Sequence, residues 1–322
     1  MTMRILLTGI KGFVGFHLAR RLADNYDVWG IDLAYPEGTI HHLRHKHLPE
    51  RVQYRDVDIR DHASLGKFIA QTHPQVVIHL AACTGIAASE HHRDLYFDTN
   101  VTGFANLLQH CHAKGVQCVL YASSSSVYSP MDEICREERA APQPLSFYGQ
   151  TKLYGEKLAR NYAEQFGMRS IGLRLFTVYG SWVRTDMAAW KFMRALERGE
   201  PCTLYNQGEV YRDFTHVSDI VNAITRIIEV QLWEHLSVPH EIYNIGHGSP
   251  VSVKEYLIQI AGQLGREPDV RYAPLPVNEL PRTHADTSRL RHAISYTPAC
   301  PVHEGVREMV EWYKIYGKML PV

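Results

Sequence analysis

The chain has 322 residues, of which 45% are hydrophobic and 21% are charged, with 34 basic and 34 acidic side chains. This length can bury a large core without disulfides or metals, and the balanced charge gives no reason to expect nucleic acid or a membrane surface as a partner in place of a small ligand. The six cysteines form no CxxC pair and no run reaches the ~18 apolar residues of a membrane span, so we expect free thiols, a cytoplasmic location and no membrane anchor.

The first half of the chain alternates short β-branched runs with amphipathic helical stretches. This alternation predicts an α/β fold in which a Rossmann-like, doubly wound parallel sheet carries helices on both faces. The predicted strands are residues 4–8, 27–32, 52–56, 76–80, 117–123 and 170–175.

The elements after about residue 176 are shorter and are separated by glycine and proline, which predicts a smaller C-terminal α/β lobe that binds the substrate. We therefore divide the chain into a first domain, 1–176, and a substrate-binding lobe, 177–322. Residues 217–230 form a strongly amphipathic helical pattern, so the segment 211–240 is expected to return to the first domain.

Residues 41–47 read His-His-Leu-Arg-His-Lys-His and follow the second predicted strand. Four imidazoles so close could bind a metal ion. However, no cysteine or carboxylate joins them, and a solvated surface loop is the expected conformation after this strand. We assign no metal site.

A glycine-rich turn connects the first predicted strand to the next helix. Its three glycines are Gly9, Gly12 and Gly15. They allow a tight turn, close backbone approach to a pyrophosphate and close helix packing, with the pyrophosphate at the helix N-terminus beside Phe13 and Val14. Asp32 ends the following strand, where a carboxylate accepts the adenosine ribose hydroxyls and repels a 2′-phosphate. An ordinary strand-to-helix turn is the alternative, but together with Asp32 the pattern predicts a domain that binds NAD rather than NADP.

Tyr148 and Lys152 are four residues apart in a predicted helix, so their side chains share one face. The ammonium is expected to lower the phenol pKa, which makes a phenolate base accessible near neutral pH. Upstream, a serine run leaves the carboxyl end of the fifth strand, where ligands of open α/β sheets bind. Ser124 or Ser126 can hydrogen-bond a substrate oxygen and pass its proton to the phenolate. A surface Tyr/Lys pair and a strand-capping serine turn are the alternatives.

These motifs, with Asp58-Ile59 and His79-Leu80-Ala81-Ala82, resemble the extended short-chain dehydrogenase/reductase family of nucleotide-sugar epimerases and dehydratases, and the resemblance runs along essentially the whole chain. The family implies NAD as the cofactor and a homodimer formed through helices 94–114 and 146–167. It also implies further cofactor-binding roles. Asp58 and Ile59 would flank adenine, Leu80, Ala81 and Ala82 would line the cofactor, Asn100 would support the adjacent helix, and Lys152 would also hold the nicotinamide ribose.

Residues 173–187 are most similar to the UDP-glucuronate 4-epimerases. This resemblance implies that Thr177 faces the sugar, together with Thr84 and Ser125. Arg184 is expected to bind a uronate carboxylate, because guanidinium binds carboxylate bidentately. The alternative for Arg184 is a surface arginine on a loop.

The segment Tyr211-Arg212-Asp213-Phe214-Thr215-His216 resembles the part of the family that binds the nucleotide diphosphate. The resemblance places Arg212 on the phosphates, with Arg282 as a second phosphate-binding arginine. A buried structural pair of Arg212 with Asp213 would look the same in sequence.

Dehydratases and decarboxylases of this family carry an acidic residue shortly after the catalytic hydroxyl, whereas Ser124 is followed by two serines. The resemblance therefore implies epimerisation at C4 of a nucleotide sugar through a transient 4-keto intermediate, with UDP-glucuronate and UDP-galacturonate as the expected pair. Ala87 stands where glucuronate epimerases carry arginine, which leaves another UDP-hexose open, either glucose/galactose or an N-acetylated sugar. A nucleotide-sugar dehydratase, decarboxylase or reductase also stays open, as does a non-catalytic regulator that binds NAD.

Overall fold

The computed structural model describes residues 2–130, 133–138 and 142–320. In chain order the strands are β1 (Arg4–Thr8), β2 (Asp27–Asp32), β3 (Gln53–Asp56), β4 (Val76–His79), β5 (Cys118–Ser124), β6 (Ser170–Leu175), β7 (Thr177–Tyr179), β8 (Cys202–Tyr205), β9 (Tyr211–Arg212), β10 (Phe214–His216), β11 (His240–Ile245), β12 (Val251–Ser252) and β13 (Val270–Ala273).

The helices are α1 (Phe13–Leu22), α2 (Ile40–Lys46), α3 (His62–Thr72), α4 (Ile86–His91), α5 (Arg93–Phe97), α6 (Gly103–Ala113), α7 (Phe147–Phe166), α8 (Ala188–Arg198), α9 (Val217–Glu229), α10 (Val253–Leu264), α11 (Ser288–Ile294) and α12 (Val302–Tyr316). A π-helical segment, Asp98–Thr102, connects α5 to α6.

Seven strands pair in parallel in the order β11-β6-β5-β4-β1-β2-β3. This sheet confirms the predicted doubly wound α/β fold, and the six predicted strands all belong to it. The chain order reverses between β1 and β4, and ligands of open α/β sheets bind outside the carboxyl ends of the strands at such a point. The sheet topology therefore places a ligand cleft beside the ends of β1 and β4.

Both faces of the sheet are buried, as parallel sheets require. Ile5 and Leu7 of β1 belong to one apolar cluster, which continues through α1 and α9 into α8, α10 and α12. Leu6 points the other way, into a second cluster with α3 and α6. This alternation follows from the two-residue period of a strand.

Helix α9 packs against α1, and β11 then joins the edge of the main sheet beside β6. Residues 217–229 thus form the helix that the amphipathic pattern predicts. Shorter pairs, β8 with β13 and β9 with β12, lie in the C-terminal part. The division of the chain at residue 176 stays a prediction.

The expectation of a solvated loop at the histidine-rich segment is wrong. Residues 40–46 form α2, which begins where the Thr39 side chain accepts a hydrogen bond from the His42 N–H at 3.2 Å. Ile40 is buried and the Arg44 side chain has no exposed surface. Within residues 2–130, 133–138 and 142–320, no group of three His, Cys, Asp or Glu side chains is arranged to hold a metal ion.

No helix in the described part of the chain combines the length and the apolarity that a membrane crossing requires. Five of the cysteines are free thiols: Cys83, Cys111, Cys118, Cys202 and Cys300.

Candidate active site

A cleft of about 620 Å³ opens at the carboxyl ends of the central strands. Most of the residues predicted from the sequence line it. They are Gly9, Gly12, Phe13, Val14, Gly15, Asp32, Asp58, Ile59, Leu80, Ala81, Ala82, Thr84, Ser124, Ser125, Ser126, Tyr148, Lys152, Thr177 and Arg184. The fold therefore brings the glycine-rich turn, the serine run and the Tyr/Lys pair into one space.

The glycine-rich turn has the tight geometry that a dinucleotide cradle needs. Gly9 has a φ of +75°, and a Cβ there would lie 2.7 Å from the Ala81 backbone nitrogen. A Cβ at Gly15 would lie 2.1 Å from the Gly9 carbonyl oxygen. Gly12 caps α1 without a side-chain hydrogen bond, so the N–H groups of the first helical turn face the cleft without a capping side chain. These features fit a pyrophosphate.

Asp32 ends β2 with its carboxylate held in place. It accepts hydrogen bonds from the N–H of Lys11 at 2.7 Å and of Leu33 at 2.8 Å, and from the Tyr35 hydroxyl at 3.0 Å. Burial raises the pKa of Asp32, and these hydrogen bonds oppose that shift. Lys11, which the sequence analysis missed, forms an ion pair with Asp56 at 2.6 Å beside the carboxylate.

Asp58 and Ile59 lie at the far end of the same cleft. The Asp58 carboxylate forms an ion pair with Arg60 at 2.6 Å, and the Arg60 hydrogen bonds hold the pKa of Asp58 below its usual value. Asn100 lies behind the cleft wall. Its Oδ1 accepts from the Cys83 N–H at 2.8 Å, and its Nδ2 donates to the Thr151 hydroxyl at 3.0 Å. Asn100 thus connects the segment after β4 to α7.

Helix α7 begins tightly against the serine run. The Ser146 side chain caps it by accepting from the Gly149 N–H at 3.1 Å, and a Cβ at Gly149 would lie 2.3 Å from the Ser126 carbonyl oxygen. This close contact brings the Tyr148 hydroxyl into a hydrogen bond with Ser124. Lys152 donates to the Ala122 carbonyl at 3.0 Å, and its Nζ lies 5.8 Å from the centroid of the Tyr148 ring.

Thr177 and Arg184 also line the cleft. Arg184 forms an ion pair with Asp186, with one contact from Nε to Oδ1 at 3.0 Å. Its side chain is 27% exposed and it faces the cleft, which differs from the alternative of a surface arginine on a loop.

A second cavity of about 500 Å³ shares Thr177 with the first one. Arg212 lines this cavity and donates to Glu279 at 3.0 Å. Asp213 instead accepts backbone N–H groups, including those of His247 at 2.7 Å and Ala285 at 2.9 Å. The structure therefore does not contain the Arg212–Asp213 pair that the sequence left open.

Arg282 lies outside both cavities. It is exposed, and its guanidinium stacks over the Tyr211 ring at 5.3 Å from the centroid. Ala87, where the resemblance led us to expect an arginine, lines the second cavity.

Comparison with known proteins decides the family. A sequence profile described as the NAD dependent epimerase/dehydratase family matches residues 5–246. The chain belongs to this family. It is 34% identical over 340 residues to Protein CapI of Staphylococcus aureus, with 98% of this chain and 100% of that protein covered. It is 33% identical to a probable UDP-glucuronate 4-epimerase of Rhizobium meliloti, with 97% of both chains covered.

The fold matches that of a crystal structure of UDP-glucuronic acid 4-epimerase from Bacillus cereus in complex with UDP-glucuronic acid and NAD. The TM-score is 0.89 at 29% identity, with 97% of this chain and 99% of that chain covered. The protein is thus an NAD-dependent nucleotide-sugar epimerase, which confirms the predicted enzyme class and cofactor.

The electrostatics of the Tyr148 hydroxyl in this epimerase differ from the sequence expectation. Burial raises the pKa of Tyr148, and the groups that oppose the shift are the Ser124 hydrogen bond and the positive charge of Arg184. The net shift is therefore upward, opposite to the expected lowering, and Lys152 is not among the groups that oppose it. Burial instead lowers the pKa of Lys152 itself to about 8. The phenol and the ammonium are both pushed towards their neutral forms.

Glu156 is a further residue of the epimerase that sequence reasoning missed. Its carboxylate accepts two hydrogen bonds from Arg174, both at 2.8 Å, and one from the Ser123 hydroxyl at 2.5 Å. All three side chains are buried. Glu156 lies one turn after Lys152, so this ion pair fixes α7, and with it the Tyr/Lys pair, to β5 and β6.

Proposed function

We propose that this epimerase interconverts UDP-glucuronate and UDP-galacturonate through a transient 4-keto sugar. The observation that carries the proposal is the convergence of Ser124, Tyr148 and Lys152 in the cleft at the end of β5, in the same cleft as Arg184. The UDP-glucuronic acid and NAD bound by the Bacillus cereus enzyme support this choice of substrate.

In the proposed mechanism, Tyr148 removes the proton of the C4 hydroxyl and Ser124, hydrogen-bonded to it, holds the sugar oxygen. NAD supplies the chemistry of accepting and returning the hydride at C4. The N–H groups at the start of α1, the carboxylate of Asp32 and the apolar side chain of Ile59 would hold this cofactor. After the 4-keto sugar has rotated to present the opposite face of C4 for reduction, Tyr148 returns the proton to the C4 oxygen.

The substrate contacts follow the two cavities. We assign the sugar to the shared region near Thr177, Thr84 and Ser125, and its carboxylate to Arg184. The diphosphate is assigned to Arg212, which has to exchange the Glu279 carboxylate for a phosphate oxygen. The exchange replaces one charge-assisted hydrogen bond by another of similar strength.

Epimerisation of an uncharged UDP-hexose is the second candidate. Two observations favour it, because Ala87 provides no cation at the second cavity and Arg184 already has a carboxylate partner in Asp186. A neutral sugar would leave that pair intact.

Product analysis by NMR decides between the two candidates. NAD-loaded enzyme is incubated separately with UDP-glucuronate, UDP-glucose and UDP-N-acetylglucosamine. The first candidate predicts UDP-galacturonate as the main product and a preference that Arg184→Met abolishes. Faster conversion of UDP-glucose, unaffected by Arg184→Met, would establish the second candidate instead.

The catalytic assignment has its own test. Tyr148→Phe is expected to lower kcat by about 10²- to 10⁴-fold with NAD still bound, which is the usual contribution of a proton-transfer group. Tyr272→Phe is the matched control, because Tyr272 lines neither cavity and is 45% exposed. Normal turnover in Tyr148→Phe would remove this assignment.

We further propose that two copies of the chain associate through the helices at 94–114 and 146–167. Exposed apolar side chains on this face support the proposal, with Phe97 at 44% and Tyr154 at 47% exposure and their ring centroids 6.5 Å apart. A cytoplasmic location stays a prediction.

A further inference from the structure

Arg44 of helix α2 is a buried arginine whose role the reaction does not explain. Its side chain is fully buried, and within the described ranges it forms no ion pair. Nη1 donates to the Lys11 carbonyl at 3.1 Å and Nη2 to the Trp182 carbonyl at 2.6 Å, while Nε has no partner. Burying an arginine without a carboxylate is costly, so these two contacts need a reason.

The two carbonyls belong to two separate segments whose neighbouring residues line the cleft. Lys11 lies in the glycine-rich turn that we assign to the cofactor. Trp182 lies in the segment 180–187, which we name the substrate loop because it carries Arg184 and Asp186 into the cleft. Arg44 is therefore a direct bridge between the cofactor side and the sugar side of the site.

The substrate loop needs such an anchor because its backbone is strained. Trp182 has a φ of +64°, a left-handed conformation that is unfavourable for a bulky residue and persists only when the surroundings hold it. The indole packs on Phe16 with ring centroids 4.9 Å apart. One residue earlier, the Ser181 carbonyl accepts a hydrogen bond from His17 at 2.8 Å.

The positive charge of Arg44 also influences the direction in which the Arg184 side chain points. Burial lowers the pKa of Arg44 to about 9, and the nearby positive charge of Arg184 adds to this shift. The two guanidinium groups repel each other, so a fixed cation at Arg44 favours positions of Arg184 that point away, towards Asp186 and the cleft.

We propose that Arg44 is a positioning residue that fastens the substrate loop to the cofactor turn and keeps Arg184 directed at the sugar. The sugar-binding half of this inference rests on the proposed function of Arg184. The bridge itself rests only on the contacts of Arg44.

Limited proteolysis tests the bridge. Proteases cut backbone that has locally unfolded, so trypsin cleavage after Arg184 reports opening of the substrate loop, and mass spectrometry follows the resulting peptide. Arg44→Lys keeps the charge but replaces the planar fork, whose two terminal nitrogens each reach one carbonyl, by a single nitrogen on a shorter side chain, so cleavage after Arg184 should rise by about tenfold or more. Arg51→Lys, which changes an exposed arginine paired with Asp24, is the matched control. An unchanged cleavage rate in Arg44→Lys overturns the proposal.

His17→Asn provides a second variant if Arg44→Lys does not fold. It releases only the Ser181 carbonyl, so cleavage after Arg184 should rise severalfold, and no rise would overturn the anchoring of this loop.

Calorimetry tests whether Arg44 acts through Arg184. UDP-glucuronate and UDP are titrated into NAD-loaded wild type, Arg44→Lys, Arg184→Met and the double variant. Arg44→Lys should weaken binding of UDP-glucuronate but not of UDP, and the double variant should match Arg184→Met within about twofold, because residues that act as one unit are non-additive. Additive losses of affinity in the double variant, or an equal loss of affinity for UDP, would show that Arg44 has only a structural role. If Arg184→Met leaves UDP-glucuronate binding unchanged, the proposed role of Arg184 fails, and the proteolysis still decides the bridge.

Discussion

Removal of the Glu156 carboxylate should be among the most destabilising single changes in this protein. Glu156→Ala deletes both hydrogen bonds to Arg174 and the one from Ser123. Arg174 is only 3% exposed, and the neutral Tyr128 side chain, whose ring centroid lies 4.7 Å from the guanidinium carbon, cannot replace the lost negative charge. Leaving one member of a buried ion pair without its partner costs about 3–5 kcal/mol.

Urea unfolding followed by circular dichroism measures the free energy of unfolding, and a thermal scan should show a Tm lowered by roughly 4–8 °C, at about 1.5 °C per kcal/mol for a chain of this length. Glu234→Ala is the control, because its ion pair with Arg169 is about 40% exposed on both sides and such pairs contribute about 0–1 kcal/mol. The double variant Glu156→Met/Arg174→Met should recover most of the loss, since it leaves no buried charge. A loss below about 1 kcal/mol in Glu156→Ala would refute this reasoning.

Three further predictions concern the site and the assembly. Ser124→Ala removes a hydrogen bond that lowers the pKa of Tyr148, so the rise of kcat with pH should move to more alkaline values, and an unmoved pH–rate profile would contradict this. Arg212→Met should raise the Kd for UDP, measured by calorimetry, about 10- to 100-fold, whereas Arg282→Met, at an exposed arginine, should leave that Kd nearly unchanged. An equal loss of UDP affinity in both variants would show that Arg282 also reaches the phosphates. Phe97→Glu should yield monomers in light scattering after gel filtration, and a persisting dimer would exclude this face as the interface.

Much of the fold follows from local patterns in the sequence. The six predicted strands match the observed ones to within a residue at their ends, because buried parallel strands are continuous apolar runs bounded by turns. The cleft was also predictable, since the carboxyl ends of parallel strands meet at one edge and each motif follows such an end. β11 was missed because the strand lies beyond α9, far along the chain from the β6 strand that it pairs with.

The missed parts depend on long-range contacts. Helix α2 was predicted to be a loop because the most deeply buried side chain on it is the charged Arg44, which hydrophobic periodicity does not count as core. Glu156 looks like any solvent-facing residue of a helix until Arg174 is placed opposite it. The pKa of Tyr148 was predicted in the wrong direction because spacing along a helix shows which groups are near, and says nothing about how deeply they are buried.

Gly149 has no side chain, and this affects how an inactive variant at that position should be interpreted. Even a methyl group there would collide with the Ser126 carbonyl oxygen at 2.3 Å and with Pro144 at 2.8 Å, so α7 would have to shift as a whole. Such a variant would retain every group that transfers protons and would still be inactive. Loss of activity in a Gly149 variant would therefore indicate that the catalytic groups are displaced. It would not show that residue 149 takes part in the chemistry.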